Sequence, residues 1–479
     1  MFSMVDLLIA AGSEDQVNAL DVRLAEVTFN GAAIDSRLVQ PGELFVALIG
    51  ERSDAHDYVD AAFDRGATAA LVRRASLESL KLSPNRSIVV LDGTSLQIDQ
   101  SSQILVPTDD PLQTLHRLSS NHRAKFDPQV VGISGSVGKT STKEATSAVV
   151  EQRFNMLKTP RSYNSESTMP LTILQMSPEH QVAVIEMGTY GPGEIALLAS
   201  IARPNIGIVT NVGIAHMERM LTIETIAGAE GELIDALPDD GVAILNYDDD
   251  LVRGMTSRTK AQPFFFGLNP EADVWADNVE SHGFEGVTLR AHHGTDVTSL
   301  RIPLLGKHHA YTALAAASAG LVLGLNWDEI AAGLESCGER LRFVTVPGPR
   351  GSTILDDTYN ASPVSCNAAL DLLHELEGRH IAVFGDMYEL GPVEEEAHRT
   401  VGRHAEQRVE VLYTVGPRAH WIADEARKAG MKGEIMSFED KQAAVDALTP
   451  KLGEGDYVLV KGARGMEMET VVAALHAQA

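Results

Sequence analysis

Apolar positions along this chain fall into short unbroken runs, separated by stretches in which they recur every three or four residues. The first pattern suits strands buried on both faces, and the second suits helices with one buried stripe. Near the start, "PGELFVALIG" (41 to 50) predicts a turn and then a strand. "YVDAAFDRGA" (58 to 67) predicts an amphipathic helix stopping at glycine, and "ATAALV" and "SIVVLD" predict buried strands. "VPTDDPLQTLHRLSSNHRAKF" then opens a helix with Pro111 near its N-terminus, which serves as a connector. Further on, "VVGIS", "VAVIEMG", "NIGIVTNVG" and "GVAILN" alternate with helical stretches, and residues 263 to 304 read as short β segments of an inserted or edge sheet. The alternation restarts with "STILDDTYN", "HIAVFGDM", "VEVLYTVG" and "GDYVLVKGARG". Regular strand–helix alternation predicts an α/β chain with doubly wound, largely parallel sheets. The expected division is a small N-terminal α/β domain (1–107), a central P-loop domain with a doubly wound, mostly parallel sheet (108–336), and a C-terminal Rossmann-like domain (337–479).

Composition agrees with that division, since 479 residues fill about three domains. A formal net charge of −27 argues against nucleic acid or an acidic membrane surface as a partner. It leaves room for an enzyme that neutralises phosphates inside one cleft. Cys337 and Cys366 are the only cysteines, too few for a disulfide framework or a four-cysteine zinc site. The opening "MFSMVDLLIAAG" lacks a basic flank, and no 18-residue apolar stretch occurs. The expectation is therefore a cytoplasmic protein without stable membrane insertion.

The clearest chemistry lies in "VVGISGSVGKTSTKE", residues 130 to 144. An apolar strand breaks into a glycine-rich turn that opens a helix. Gly135 and Gly138 allow the turn to aim backbone N–H groups at phosphate oxygens, Lys139 supplies a point charge, and the Thr140 hydroxyl suits Mg²⁺. The candidate ATP contacts in this loop are Gly135, Ser136, Val137, Gly138, Lys139, Thr140 and Ser141. Ile133 stands where the full G-x-x-x-x-G-K-[ST] pattern has its first glycine, so a purely structural turn remains the competing reading. Glu186 ends the apolar run "VAVIE", which places it at the carboxyl edge of a parallel sheet, where ligands bind in such folds. A solvated strand-end glutamate is the alternative.

Seven segments in register, among them "AIDSRLVQPGELFVALIG", "GISGSVGKTSTKE", "YNSESTMPLTIL", "TNVGIAHME", "ILDDTYNASPVS", "AVFGDMYELG" and "YVLVKGARGME", together resemble the Mur ligase family. The resemblance is strongest to its branch that joins D-alanyl-D-alanine to a UDP-muramoyl tripeptide. It implies an ATP- and Mg²⁺-dependent ligase that forms an acyl phosphate and lets an amine attack it, with small-molecule substrates and a monomeric state. By resemblance, Lys139, Asn164, His216 and Glu230 are catalytic, and Thr140, Glu186 and His216 hold metal. His309, Thr312, Arg340 and Asp357 join the loop in binding ATP. Asp35, Ser36, Arg37 and His56 match the segment that holds the UDP-sugar end, and Tyr359, Asn360, Lys461 and Arg464 match the C-terminal substrate segments.

Three departures from the family pattern stand out. In "IAGAEGE", Glu230 occupies the place of a lysine that the family carbamylates, with a side chain three heavy atoms shorter than the carbamate. His309 and Thr312 replace two asparagines that contact the nucleotide, and Ser167 and Thr168 replace an Ile-Gly-like pair. These departures keep two other readings open: a relative acting on another UDP-linked or cofactor-pathway carboxylate, and a nucleotide-binding pseudo-ligase acting as a scaffold.

Overall fold

The structure is a computed structural model that describes residues 1–18, 22–50, 53–91, 102–214, 217–337 and 344–478. Its contacts divide the chain into two compact units. The first holds residues 1–132, 154–188 and 194–205, and the second holds 133–153, 189–193 and 206–479.

In the first unit, Ala32–Ala33, Leu44–Val46, Ala69–Arg73, Gln103–Thr108 and Ile88–Val90 form a five-stranded sheet in that spatial order. Every pairing in it is parallel. The strands are continuous apolar runs because both faces are covered. Leu44, Val46, Ala69 and Leu71 pack into one buried cluster, and Phe45, Ala70 and Val72 pack into another on the opposite face. The connector helix Pro111–Arg123 begins with Asp110 accepting the N–H groups of Leu112 and Gln113, and with proline in its first turn. The same unit holds the parallel pair Met156–Lys158 and Val182–Glu186.

The second unit takes over the strand Gln129–Ser134 at Ile133. Beyond it come Ile206–Val209, Val242–Asn246, Gln262–Gly267, Val274–Ser281, Val287–His293 and Asp296–Ile302, in that spatial order. The pairings from Ile206–Val209 to Val274–Ser281 are parallel, and the last two are antiparallel. The β segments expected over 263 to 304 thus extend this sheet at its edge. The phosphate-loop helix Lys139–Val150 packs against His309–Val322 and Trp327–Ser336. That approach requires Gly333, where an added Cβ would lie 2.5 Å from the Val149 Cα.

A further sheet in this unit orders Val344–Pro347, Thr353–Asp357, Asp456–Lys461, Arg379–Gly385, Val411–Val415 and Glu434–Phe438. All its pairings are parallel except the first. Period-two alternation sends Ile354, Ile381, Val383 and Val458 into one buried cluster, and Leu355, Ala382, Phe384 and Leu459 into the other. This is the Rossmann-like arrangement expected from the sequence. Among the described residues, no helix is long and apolar enough to cross a membrane.

Candidate active site

The phosphate loop leaves the buried strand Gln129–Ser134 and turns into the helix Lys139–Val150. Gly135 sits at φ +128°, and a Cβ there would fall 2.1 Å from the Thr210 hydroxyl oxygen. Only glycine fits that position. Gly138 caps the helix at φ +84° with nothing within 4 Å of an added Cβ, so its backbone faces open space.

The loop is held from inside by groups on two other segments. Ser136 donates its N–H to the Asn211 carbonyl (2.9 Å), and Val137 donates its N–H to Asn211 Oδ1 (3.0 Å). The Asn211 amide donates back to the Val137 carbonyl (2.8 Å), which also accepts the Thr210 hydroxyl (2.7 Å). Gly135 donates its N–H to the Glu230 carboxylate at 2.6 Å, and the Ser134 hydroxyl donates to the Glu230 carbonyl at 3.0 Å. The first three loop N–H groups are therefore consumed within the protein. An anion at this loop would meet N–H groups further along, at Gly138 and the start of the helix, where the dipole also favours it. The Lys139 ammonium donates to the Gly135 carbonyl, folding back across this concavity.

Beside the loop lies a cavity of about 500 Å³. Val137, Gly138, Ser141 and Thr142 form its phosphate end, and Phe266, Leu304, Ala368 and Leu372 give it apolar walls. His308, His309, Tyr311 and Thr312, at the start of the helix His309–Val322, line the same space. The His308 and His309 rings lie 4.2 Å apart, and His309 Nδ1 is 3.2 Å from the Thr312 hydroxyl. The residues that replace the two family asparagines thus lie within hydrogen-bond reach of each other. Enclosure by protein pushes His308 down to about 4 and His309 well below the usual histidine range. His308 is nevertheless exposed to solvent, which weakens that push. Tyr311 donates its hydroxyl to Asp248 at 3.0 Å.

Asp357, at the end of the strand Thr353–Asp357, also lines the cavity. Its carboxylate lies 2.7 Å from the buried Lys461 ammonium, which donates as well to the Asn360 carbonyl at 2.8 Å. Burial raises the Asp357 carboxyl above the usual carboxylate range, and Lys461 opposes that shift. Nearby, the Arg464 guanidinium stands 5.6 Å over the exposed Tyr359 ring. In "GDMYELG", Asp386 is buried, and its carboxylate accepts the N–H groups of Arg418 (3.0 Å) and Ala419 (2.7 Å).

In the first unit, the Asn164 amide donates to Glu186 at 2.7 Å, and Gly188 donates its N–H to the Asn164 carbonyl. Arg37 forks onto Asp35, with Nη2 at 2.7 Å from Oδ2, and this pairing lowers the Asp35 carboxyl. Ser36 between them is buried. The Arg73 N–H donates to His56 Nε2 (2.9 Å), so the neutral ring carries its proton on Nδ1 and gives it to Asp54 (2.6 Å). Both ring nitrogens are used within the protein.

The structure thus joins Gly135 with Glu230, His309 with Thr312, Asp357 with Lys461 and Asn360, Tyr359 with Arg464, and Asn164 with Glu186. His216 and Arg340 lie outside the described residues. Among the described residues, no group of three or more His, Cys, Asp or Glu side chains is arranged to hold a metal ion. Sequence reasoning missed Thr210 and Asn211 as the clamp on the loop. Their signal was a polar pair directly after the apolar run "IGIV".

Family models place this loop and its surroundings. The Mur ligase middle domain matches residues 133–320, the Mur ligase family catalytic domain matches 28–123, and the Mur ligase glutamate ligase domain matches 340–464. The chain belongs to the Mur ligase family. It is 35% identical to UDP-N-acetylmuramoyl-tripeptide--D-alanyl-D-alanine ligase of Escherichia coli, covering 94% of each chain. It is 33% identical to the ligase of the same name from Bacillus subtilis, covering 93% of each. Among solved structures, MurF from Acinetobacter baumannii superposes with a TM-score of 0.82 at 26% identity, over 99% of both chains. MurF from Thermotoga maritima in complex with ADP superposes at 0.75 and 27% identity, over 94% of this chain and 97% of that one. The Mur ligase described here shares its three-part α/β architecture with them.

Proposed function

We propose that this Mur ligase joins D-alanyl-D-alanine to UDP-N-acetylmuramoyl tripeptide in peptidoglycan precursor synthesis, with ATP converted to ADP and phosphate. The observation that carries the reading is near-full-length similarity, at 33% and 35% identity, to ligases bearing that name. The loop geometry supports the chemistry. The cavity beside the loop takes the nucleotide, with its phosphates at Gly138 and Lys139. A substrate carboxylate oxygen attacks the terminal phosphorus and ADP leaves. The acceptor amine then attacks the acyl carbon, loses a proton, and expels phosphate. Catalysis consists of alignment and charge stabilisation, for which Lys139 supplies a cation at the end of a preordered concavity.

Mg²⁺ belongs to this reading, held by Thr140, Glu186 and His216. Thr140 and Glu186 would offer it the oxygen donors Mg²⁺ favours and His216 an imidazole nitrogen, with substrate phosphates and water completing the shell. When bound it supplies neutralisation of phosphoryl charge. Asn164 orients Glu186 through its amide. Asp35, Ser36 and Arg37 receive the UDP-sugar end, and Tyr359, Asn360, Lys461 and Arg464 serve the substrates from the C-terminal part. The three domains, 1–107, 108–336 and 337–479, divide these tasks in a monomeric cytoplasmic enzyme.

The test is ADP release by the purified protein. ADP should appear only when UDP-N-acetylmuramoyl tripeptide and D-alanyl-D-alanine are both present. Equal turnover with D-Glu, L-Lys or meso-diaminopimelate as acceptor would move the chain to another branch, and no turnover with any acid–amine pair would favour a scaffold.

A further inference from the structure

We infer that Glu230 is a positioning residue that latches the phosphate loop from behind and sets nucleotide affinity through the loop, not through a metal. The inference rests on the nucleotide-site reading given above. Glu230 ends the helix Ile223–Glu230 and is 3% exposed. A carboxylate buried so far from solvent needs strong donors nearby. One of them is the Gly135 N–H, at 2.6 Å from Oε2. Gly135 is also the residue whose conformation, φ +128° against Thr210, admits no side chain. The Glu230 backbone is tied to the same corner, because its carbonyl accepts the Ser134 hydroxyl. Two bonds from one residue thus fix the point where the strand breaks into the loop. Asn211 fixes the next two residues through Ser136 and Val137.

The consequence is preorganisation. A glycine-rich loop of this kind loses conformational freedom when it closes on phosphate, and a loop already fixed at 135 to 137 loses less. Glu230 behind the loop and a phosphate in front of it use different N–H groups, so the two anions do not compete for donors. The Glu230 side chain, shorter than a carbamylated lysine, ends at the loop backbone.

The latch and metal roles separate in binding measurements made without metal. ADP affinity is measured by calorimetry in EDTA, and again with Mg²⁺, for the wild type, Glu230→Ala and Glu230→Gln. The amide oxygen of glutamine still accepts the Gly135 N–H, whereas alanine leaves it without that partner. The expected result in EDTA is a loss of about tenfold for Glu230→Ala and retention within about threefold for Glu230→Gln. Amide exchange at Gly135 should be fast in Glu230→Ala and protected in Glu230→Gln, a readout that is independent of ligand. Unchanged ADP affinity in EDTA for both variants, with a weakened Mg²⁺ response in both, would overturn the latch. If Glu230→Ala does not fold, a Glu230→Gln protein with fast Gly135 exchange would overturn it equally. Failure of the wild type to bind ADP at all would overturn the nucleotide-site reading itself, and the exchange data would still judge the latch.

Discussion

Lys139 illustrates how one side chain acquires a task from its surroundings. Its ammonium donates to the carbonyl of Gly135, in a loop whose first three N–H groups are already engaged, so under the proposed function it would add charge where a phosphate approaches. Lys139→Ala should lower the rate of ADP release by about 10³-fold or more, the scale of losing a charge-stabilising group in such a site. Circular dichroism and melting temperature should stay at wild-type values, because no core packing depends on this ammonium. Full activity in a folded variant would remove the loop from the mechanism. The candidacy of Lys139 was legible in the sequence, because glycines, lysine and threonine at fixed spacing carry their own geometry. The contact of Asn211 with the loop was not, since it stands 74 positions from Val137 and only the fold brings the two together.

At the scale of the element, the helix His309–Val322 carries two histidines to the cavity at its N-terminal end. A helix N-terminus and an enclosed setting both disfavour the imidazolium. His308, held below the usual histidine range, therefore binds fewer protons in the folded state than in the unfolded one as pH falls below about 6.5. Its neutral form burdens stability little above pH 6.5, and stability falls as pH drops below it. The melting temperature of the wild type should decline from pH 7 to pH 5 more steeply than that of His308→Gln, and ADP should steepen the wild-type slope by excluding water from the cavity. Parallel slopes would show that His308 does not titrate in this manner. The strand–helix alternation was readable from apolar spacing because buried parallel strands are unbroken hydrophobic runs. The joining of the segments from 263 to 304 to the central sheet was not, because half-exposed edge strands alternate weakly and say nothing about which sheet they extend.

Across the whole molecule, the net charge of −27 is the dominant long-range property. Such a charge repels polyanions, so phosphate binding on this chain calls for cations placed locally, as Lys139 is on the loop. The protein should pass unretained through immobilised heparin at physiological ionic strength and still bind ADP; firm retention would contradict a single neutralised cleft. The sequence by itself determined the α/β class, the phosphate loop and the family, because these depend on local periodicity, on glycine conformations and on motifs with short internal spacing. It also marked Glu230 as a departure. Only the tertiary structure decided what that departure does, and which residues satisfy one another: Glu230 with Gly135, Thr312 with His309, Lys461 with Asp357. Those pairings are set by how buried polar groups find partners once the chain is closed, and, apart from neighbours on one helix turn, no spacing along the chain encodes them.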